Sequence, residues 1–109
     1  IEAMRGDCPS AFTGNSVLRV DGGMTKSEFT MQFLADILAM PVERPKVMET
    51  TAVGAAYLAG RAAGLCPDLD GFAAQWQCER RFEPHMAEID RARKYAGWQD
   101  AVRRTLTPR

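Results

Sequence analysis

The sequence predicts an α/β domain of short strands packed with several helices. Three observations carry this reading. The first is an apolar stretch, Val17-Leu18-Arg19-Val20, cut off by Asp21-Gly22-Gly23. β-branched and apolar residues suit a buried strand, and paired glycines break one because glycine alone reaches positive φ without steric strain. The second is the helical periodicity that follows at once, from Lys26 to Ala39. The third is that two more long helical patterns alternate with proline-bounded extended segments downstream, as α/β chains do.

Composition narrows the class. The chain has 109 residues, 46% hydrophobic and 26% charged, the balance of one small folded domain. Fourteen basic side chains balance fourteen acidic ones. A net charge of zero removes the general electrostatic case for a nucleic-acid or membrane-surface protein. No apolar run approaches the roughly 18 residues of a membrane span. Ile1-Glu2-Ala3-Met4-Arg5 lacks the apolar centre of a signal peptide. Cys8, Cys66 and Cys78 are odd in number and without C-x-x-C spacing, which suits buried or incidental thiols in a reducing cytoplasm. The single histidine, His85, reads as a surface loop residue, and no Cys/His metal site is expected.

In chain order, Ile1 to Met4 reads as the end of a helix and Arg5 to Ser16 as a loop, given Gly6, Pro9, Gly14 and Asn15. After the strand and glycine turn, Thr25 and Glu28 fit a capping box at the start of the next helix. That helix, Lys26 to Ala39, carries Phe29, Phe33, Leu34, Ile37, Leu38 and Met40 as a core-facing stripe, with Glu28, Gln32 and Asp36 opposite. Pro41 ends it. Val42-Glu43-Arg44, between Pro41 and Pro45, reads as an edge strand, with Glu43 and Arg44 a solvated ion pair. A helix from Thr50 or Thr51 to Gly64 is rich in Ala and Gly. Gly54 and Gly60 each weaken it by about 1 kcal/mol against Ala, so close approach of a neighbouring backbone is expected there. Leu69 to Gln77 reads as a short helix capped by Asp68 or Asp70, Arg80-Arg81 as a surface pair, and Phe82-Glu83-Pro84 as the start of an extended loop. The last helix runs from Met86 to Leu106. Its apolar stripe is Tyr95, Trp98, Val102 and Leu106, with ion pairs expected at Asp90–Lys94 and Asp100–Arg104. Thr107-Pro108-Arg109 is a tail.

The turn is the chemically interesting place. A helix N-terminus beyond a strand end presents free N–H groups and partial positive charge, and adjacent glycines let a ligand approach the backbone. A phosphate or nucleoside fits there. No P-loop and no G-x-G-x-x-G is present, so on these residues alone a plain strand-to-helix connection is the simpler account.

Several segments in register resemble one family. Leu18-Arg19-Val20-Asp21-Gly22-Gly23-Met24-Thr25, Met31-Gln32-Phe33 with Ala35-Asp36-Ile37-Leu38, and Val42-Glu43-Arg44-Pro45 are similar to the C-terminal nucleotide-binding half of the glycerol kinase family. Glu49-Thr50-Thr51-Ala52-Val53-Gly54-Ala55-Ala56-Tyr57-Leu58-Ala59-Gly60, Arg81-Phe82-Glu83-Pro84 and Tyr95-Ala96-Gly97-Trp98 continue the likeness, which covers nearly all of Val17 to Leu106. This is the sugar-kinase branch of the actin/hexokinase/Hsp70 superfamily.

The resemblance implies the C-terminal part of an actin-like, ribonuclease H-like ATPase domain. Residues 1–109 would be a piece of the second, nucleotide-binding domain of a longer enzyme, without the substrate domain. It implies phosphate transfer from ATP to glycerol with Mg²⁺, in a cytoplasmic homo-oligomer. Gly22 and Gly23 would lie against the nucleotide. Ser27 stands where the family commonly has an Asn, which offers a donor and an acceptor where serine has one hydroxyl. Asp21, Thr25 and Lys26 would support the site, Asp21 by holding the turn or a water on Mg²⁺, Lys26 near the phosphates or facing solvent. The catalytic base, the glycerol contacts and the metal ligands are expected outside this chain, so the chain alone should not phosphorylate glycerol. Two other readings stand beside this one: a sister kinase for another polyol or sugar, and a non-catalytic nucleotide-binding or oligomerisation module.

Overall fold

A computed structural model describes residues 1–106. The tail at Thr107-Pro108-Arg109 lies outside the described residues. Helix α1 (Glu2–Asp7) is followed by a 3₁₀ turn at Pro9–Ala11 and by strand β1 (Leu18–Arg19). A second 3₁₀ turn, Gly23–Lys26, leads into helix α2 (Glu28–Leu38). Then come β2 (Val42–Pro45), α3 (Thr50–Ala62), α4 (Leu69–Ala73), β3 (Cys78–Phe82) and α5 (Glu88–Thr105).

The sheet order is β1-β2-β3. β1 runs parallel to β2, pairing Leu18 with Val42 and Arg19 with Glu43. β3 returns antiparallel, pairing Val42 with Phe82, Glu43 with Arg81 and Arg44 with Arg80, with an irregularity at Arg44/Pro45. The edge assignment for Val42-Glu43-Arg44 is therefore overturned: β2 is the central strand. Its proline falls where the ladder is already irregular, so no ladder hydrogen bond has to be given up in mid-strand. The partner that makes β2 central is β3, a strand the sequence did not announce. Only Phe82 of its five residues is buried.

The core is small. Met31, Ala35, Val42 and Phe82 form it, with Leu18, Val20 and Leu34 packed at its margin. The face that α2 buries differs in part from the expected stripe: Leu34 packs at the core and Met40 is buried, as expected, but the phenylalanines are not. Phe29 is 81% exposed and Phe33 is exposed beside it, while Met31 and Ala35 are buried. Residues 29 and 33 lie about 200° around the helix from residue 31, so burying one stripe exposes the other. α2 ends in a left-handed residue, Ala39 at φ 50°, with Met40 N–H donating to the Ala35 carbonyl and Ala39 N–H to that of Asp36. The last helical residue, Leu38, thus lies three residues before Pro41.

α3 closes in the same motif. Gly64 sits at φ 73°, Leu65 N–H donates to Gly60 C=O at 2.8 Å, and Gly64 N–H donates to Arg61 C=O at 3.0 Å. The crowding at Gly60 comes from a side chain and not from a backbone: a methyl there would run into the Cys66 sulfur. Gly54 faces open space. Tyr57 is buried, stacked 4.0 Å from the Phe72 ring, and its hydroxyl donates to Pro67 C=O. α4 is shorter than expected, and of the two candidate caps Asp68 is used, accepting from Gly71 N–H at 2.9 Å. In α5 the Asp100–Arg104 pair forms at 2.7 Å, but Asp90 pairs with Arg93 instead of Lys94, whose ammonium lies 5.9 Å from the Phe33 ring. Asp36 clasps the β3–α5 connection. One of its oxygens accepts from His85 N–H at 2.6 Å and Met86 N–H at 3.1 Å.

Candidate functional site

The six site residues singled out in the sequence all lie on one continuous turn between β1 and α2. Gly22 has φ 90° and ψ 173°, a conformation essentially closed to residues with a Cβ. Its N–H donates to Met48 C=O at 3.3 Å. Neither Gly22 nor Gly23 has another atom within 4 Å of where a Cβ would stand, so a ligand can reach the backbone at both. Gly23 begins the 3₁₀ turn, and Lys26 ends it, exposed.

Thr25 is 2% exposed. Its hydroxyl donates to Gly22 C=O at 2.6 Å and lies 3.2 Å from the Met48 sulfur. Thr25 therefore locks the turn from inside, and it is not the cap of α2. That role belongs to Ser27, whose hydroxyl oxygen accepts from Thr30 N–H at 3.2 Å and lies 2.9 Å from the Thr30 hydroxyl. The capping box fails because the 3₁₀ turn delays the helix by two residues, so Glu28 is the first helical residue and not the third. Asp21 is exposed and accepts a hydrogen bond from the Thr50 hydroxyl at the first residue of α3. It ties the turn to α3.

One participant was not foreseen. Arg44 of β2 is 6% exposed and reaches under the turn. Its Nη1 donates to Thr25 C=O at 2.7 Å, its Nη2 to Glu28 at 2.9 Å and its Nε to Glu79 at 2.5 Å. The Glu79 bond, against the opposing effect of burial, and then the Glu28 bond hold its pKa above the ordinary arginine value. Arg44 in turn draws Glu79 below the usual carboxylate range, against a smaller desolvation effect. The solvated Glu43–Arg44 pair is thus overturned. Alternation along the strand sends the two side chains to opposite faces. Glu43 meets Arg81 at 3.0 Å and Arg19 at 3.6 Å. Arg80, as expected for a surface residue, is exposed, and it pairs with Glu28 at 2.5 Å. A signal for the Arg44 site existed in the arginine lodged between apolar Val42 and Pro45. Its partners lie 16 and 35 residues away, beyond any local pattern.

The turn is an open surface. Two clefts among the described residues, about 890 Å³ beside Phe33, Leu38, Tyr95 and Trp98 and about 350 Å³ beside Phe12 and Pro41, include none of its residues. Among the described residues, no three His, Cys, Asp or Glu side chains are grouped to hold a metal ion. No helix among them is long and apolar enough to cross a membrane.

The sequence pattern described as the FGGY family of carbohydrate kinases, C-terminal domain, matches residues 4–63, more than half of the chain. The chain belongs to the FGGY family. The match runs from α1 to the end of α3 and so contains the glycine turn, Arg44 and the Asp21–Thr50 tie. Among individual FGGY-family relatives, a glycerol kinase of Afipia carboxidovorans is 59% identical over 104 residues, covering 95% of this chain and 21% of the relative. One of a Chelativorans species is 59% identical over 107 residues, covering 98% and 21%. The crystal structure of Plasmodium falciparum glycerol kinase with ADP matches 99% of this chain at 34% identity and a TM-score of 0.74, over 21% of its own length. A xylulose kinase of Lactobacillus acidophilus matches 74% at 27% identity and a TM-score of 0.58, over 16% of its length. The chain spans about a fifth of the relatives it matches. The sugar-kinase fold class and the family resemblance are both borne out.

Proposed function

We propose that this chain is part of an ATP-dependent glycerol kinase, which converts ATP and glycerol to ADP and glycerol 3-phosphate, and that it forms one wall of the adenine-nucleotide site in the second domain. The observation that carries the reading is the 59% identity to glycerol kinases across 95% or more of the chain, turn and flanking elements together. The likeness to a glycerol kinase with ADP supports the nucleotide half. In this reading the nucleotide approaches the backbone at Gly22 and Gly23, where the main chain near a helix start faces open space. Ser27 meets it from the first turn of α2, with Asp21, Thr25 and Lys26 in support.

The reaction forms a bond from a glycerol hydroxyl oxygen to the γ-phosphorus and breaks the bond from that phosphorus to the ADP oxygen, with the hydroxyl proton passing to a base. None of the residues described here is given the role of base. The residues present do not suit Mg²⁺ either: the one carboxylate on the turn, Asp21, is engaged by Thr50. What this wall does is bind and orient. The same reading puts the enzyme in the cytoplasm, as a homo-oligomer, and exposed Phe29, Ile89 and Trp98 supply apolar surface for contact with other polypeptide.

The test uses the intact polypeptide that carries these residues, incubated with ATP, Mg²⁺ and a panel of glycerol, xylulose, gluconate and erythritol. Glycerol-dependent ADP formation above all other acceptors is expected, and none from the 109-residue chain alone. Preference for another acceptor would reassign the enzyme to a sister kinase. Saturable ADP binding without turnover on any acceptor would favour a nucleotide-binding module.

A further inference from the structure

Arg44 is the only charged side chain buried among the described residues. A buried guanidinium is destabilising unless its donors are met, and here they are met by two carboxylates and one main-chain carbonyl. The carboxylates of Glu28 and Glu79 remain half exposed and would be solvated without it. The Thr25 carbonyl is different. It belongs to a buried residue of the glycine turn, and Arg44 is its side-chain partner. A continuous path of hydrogen bonds then leads outward. Arg44 donates to Thr25 C=O, the Thr25 hydroxyl donates to Gly22 C=O, and Gly22 N–H donates to Met48 C=O. Every buried side-chain polar atom among the described residues has a partner. The far end of the path is the peptide whose orientation decides what Gly22 and Gly23 present to solvent.

We infer that Arg44 is a positioning residue for nucleotide binding: from beneath the sheet-facing side it fixes the orientation of the Gly22–Gly23 backbone. The inference rests on the nucleotide-binding reading of that turn. Arg44 is buried beneath the turn and acts through Thr25. A lysine cannot replace it, because one ammonium does not span three acceptors set in the planes of a guanidinium fork.

The experiment compares Arg44→Met, Arg44→Lys and Val42→Ala in the intact polypeptide. Val42→Ala removes methyl groups from the same strand and core and leaves the turn untouched, so it controls for destabilisation alone. Three quantities are read at a temperature where circular dichroism reports a folded protein: ADP affinity, KM for ATP against KM for the alcohol, and amide hydrogen exchange at Thr25 and Ser27. Arg44→Met is expected to weaken ADP binding about tenfold or more, raise KM for ATP in parallel and leave KM for the alcohol unmoved. It also speeds exchange at the two turn amides. Arg44→Lys falls between, and Val42→Ala binds ADP within about twofold of the parent. A folded Arg44→Met variant with parental ADP affinity overturns the inference and leaves the nucleotide reading intact. Should that variant not fold, Arg44→Lys decides by the same criterion. A parent polypeptide that binds no ADP overturns the nucleotide reading and this inference with it.

Discussion

Gly22→Ala is the sharpest probe of the turn. At φ 90° and ψ 173° the residue lies in a region reserved for glycine, and a Cβ there meets nothing within 4 Å. The penalty is therefore pure backbone strain, about 1–3 kcal/mol. Stiffening of the unfolded chain by alanine offsets about 0.4–1 kcal/mol of that, leaving about 1–2 kcal/mol. Gly23 supplies the internal control. It has equally open space but no positive φ, so Gly23→Ala is expected to be neutral or slightly stabilising. Native-state hydrogen exchange reads the difference locally, at Thr25 N–H, which donates to Gly22 C=O, and at Ser27 N–H, which donates to Met24 C=O. Exchange in Gly22→Ala should rise about 5- to 30-fold, the equivalent of 1–2 kcal/mol, with no rise in Gly23→Ala. Equal effects of the two substitutions would refute the strain argument. The pair also separates stability from access: if the nucleotide rests on the Gly23 backbone, Gly23→Ala weakens ADP binding while leaving exchange unchanged.

Other outcomes follow from the same geometry. Ala39→Gly relieves a left-handed alanine worth about 1–2 kcal/mol and loses about 0.4–1 kcal/mol of unfolded-state stiffness, so chemical denaturation should show a net gain near 0.5–1 kcal/mol. Gly60→Ala drives a methyl into the Cys66 sulfur and should lower the melting temperature, and Cys66→Ala in the same chain should restore it. Asp36 tests linkage. Burial pushes its pKa up, but the bonds from His85 N–H, Gln32 and Met86 N–H prevail and hold it below the ordinary value. A depressed folded pKa adds stability above the unfolded pKa of about 3.9 and loses it as pH falls through the lower folded value. Asp36→Asn should thus be less stable by about 1 kcal/mol at neutral pH, the difference between a charged and a neutral acceptor. That gap should close as acid protonates the parent below pH of about 4. A gap that widens in acid would contradict the assignment.

The strand, the glycine turn and the three longer helices were legible in the sequence because each rests on local chemistry: β-branched runs, paired glycines and helical periodicity. What stayed hidden depends on partners far along the chain. α2 is apolar on two stripes, one through Phe29 and Phe33 and one through Met31 and Ala35, and its own periodicity does not say which one β2 and Phe82 will cover. β3 is four exposed residues and one buried phenylalanine, which carries no alternating apolar signal, and it forms because the hydrogen-bonding edge of β2 is waiting for it. Arg44 looked like a surface charge because burial of an arginine is intelligible only when Glu28, Glu79 and the Thr25 carbonyl are seen together. At the candidate site, residues 21–27 share one turn because they are adjacent in the chain, while the division of labour between Thr25 and Ser27 depends on a 3₁₀ turn with no sequence marker of its own.

The long reach of Arg44 also dictates an order of events during synthesis. When Val42–Pro45 leaves the ribosome, the arginine already has Thr25 and Glu28 upstream, but Glu79 follows 35 residues later. At about 5–20 residues per second that is a wait of about 2–7 s. Throughout it β2 lacks its antiparallel neighbour and the guanidinium lacks its second carboxylate. The turn beside Gly22 is encoded early in the chain, yet its support is completed only when β3 arrives. Translation of β3, with Glu79 as its second residue, is therefore the step that supplies the last partner of Arg44.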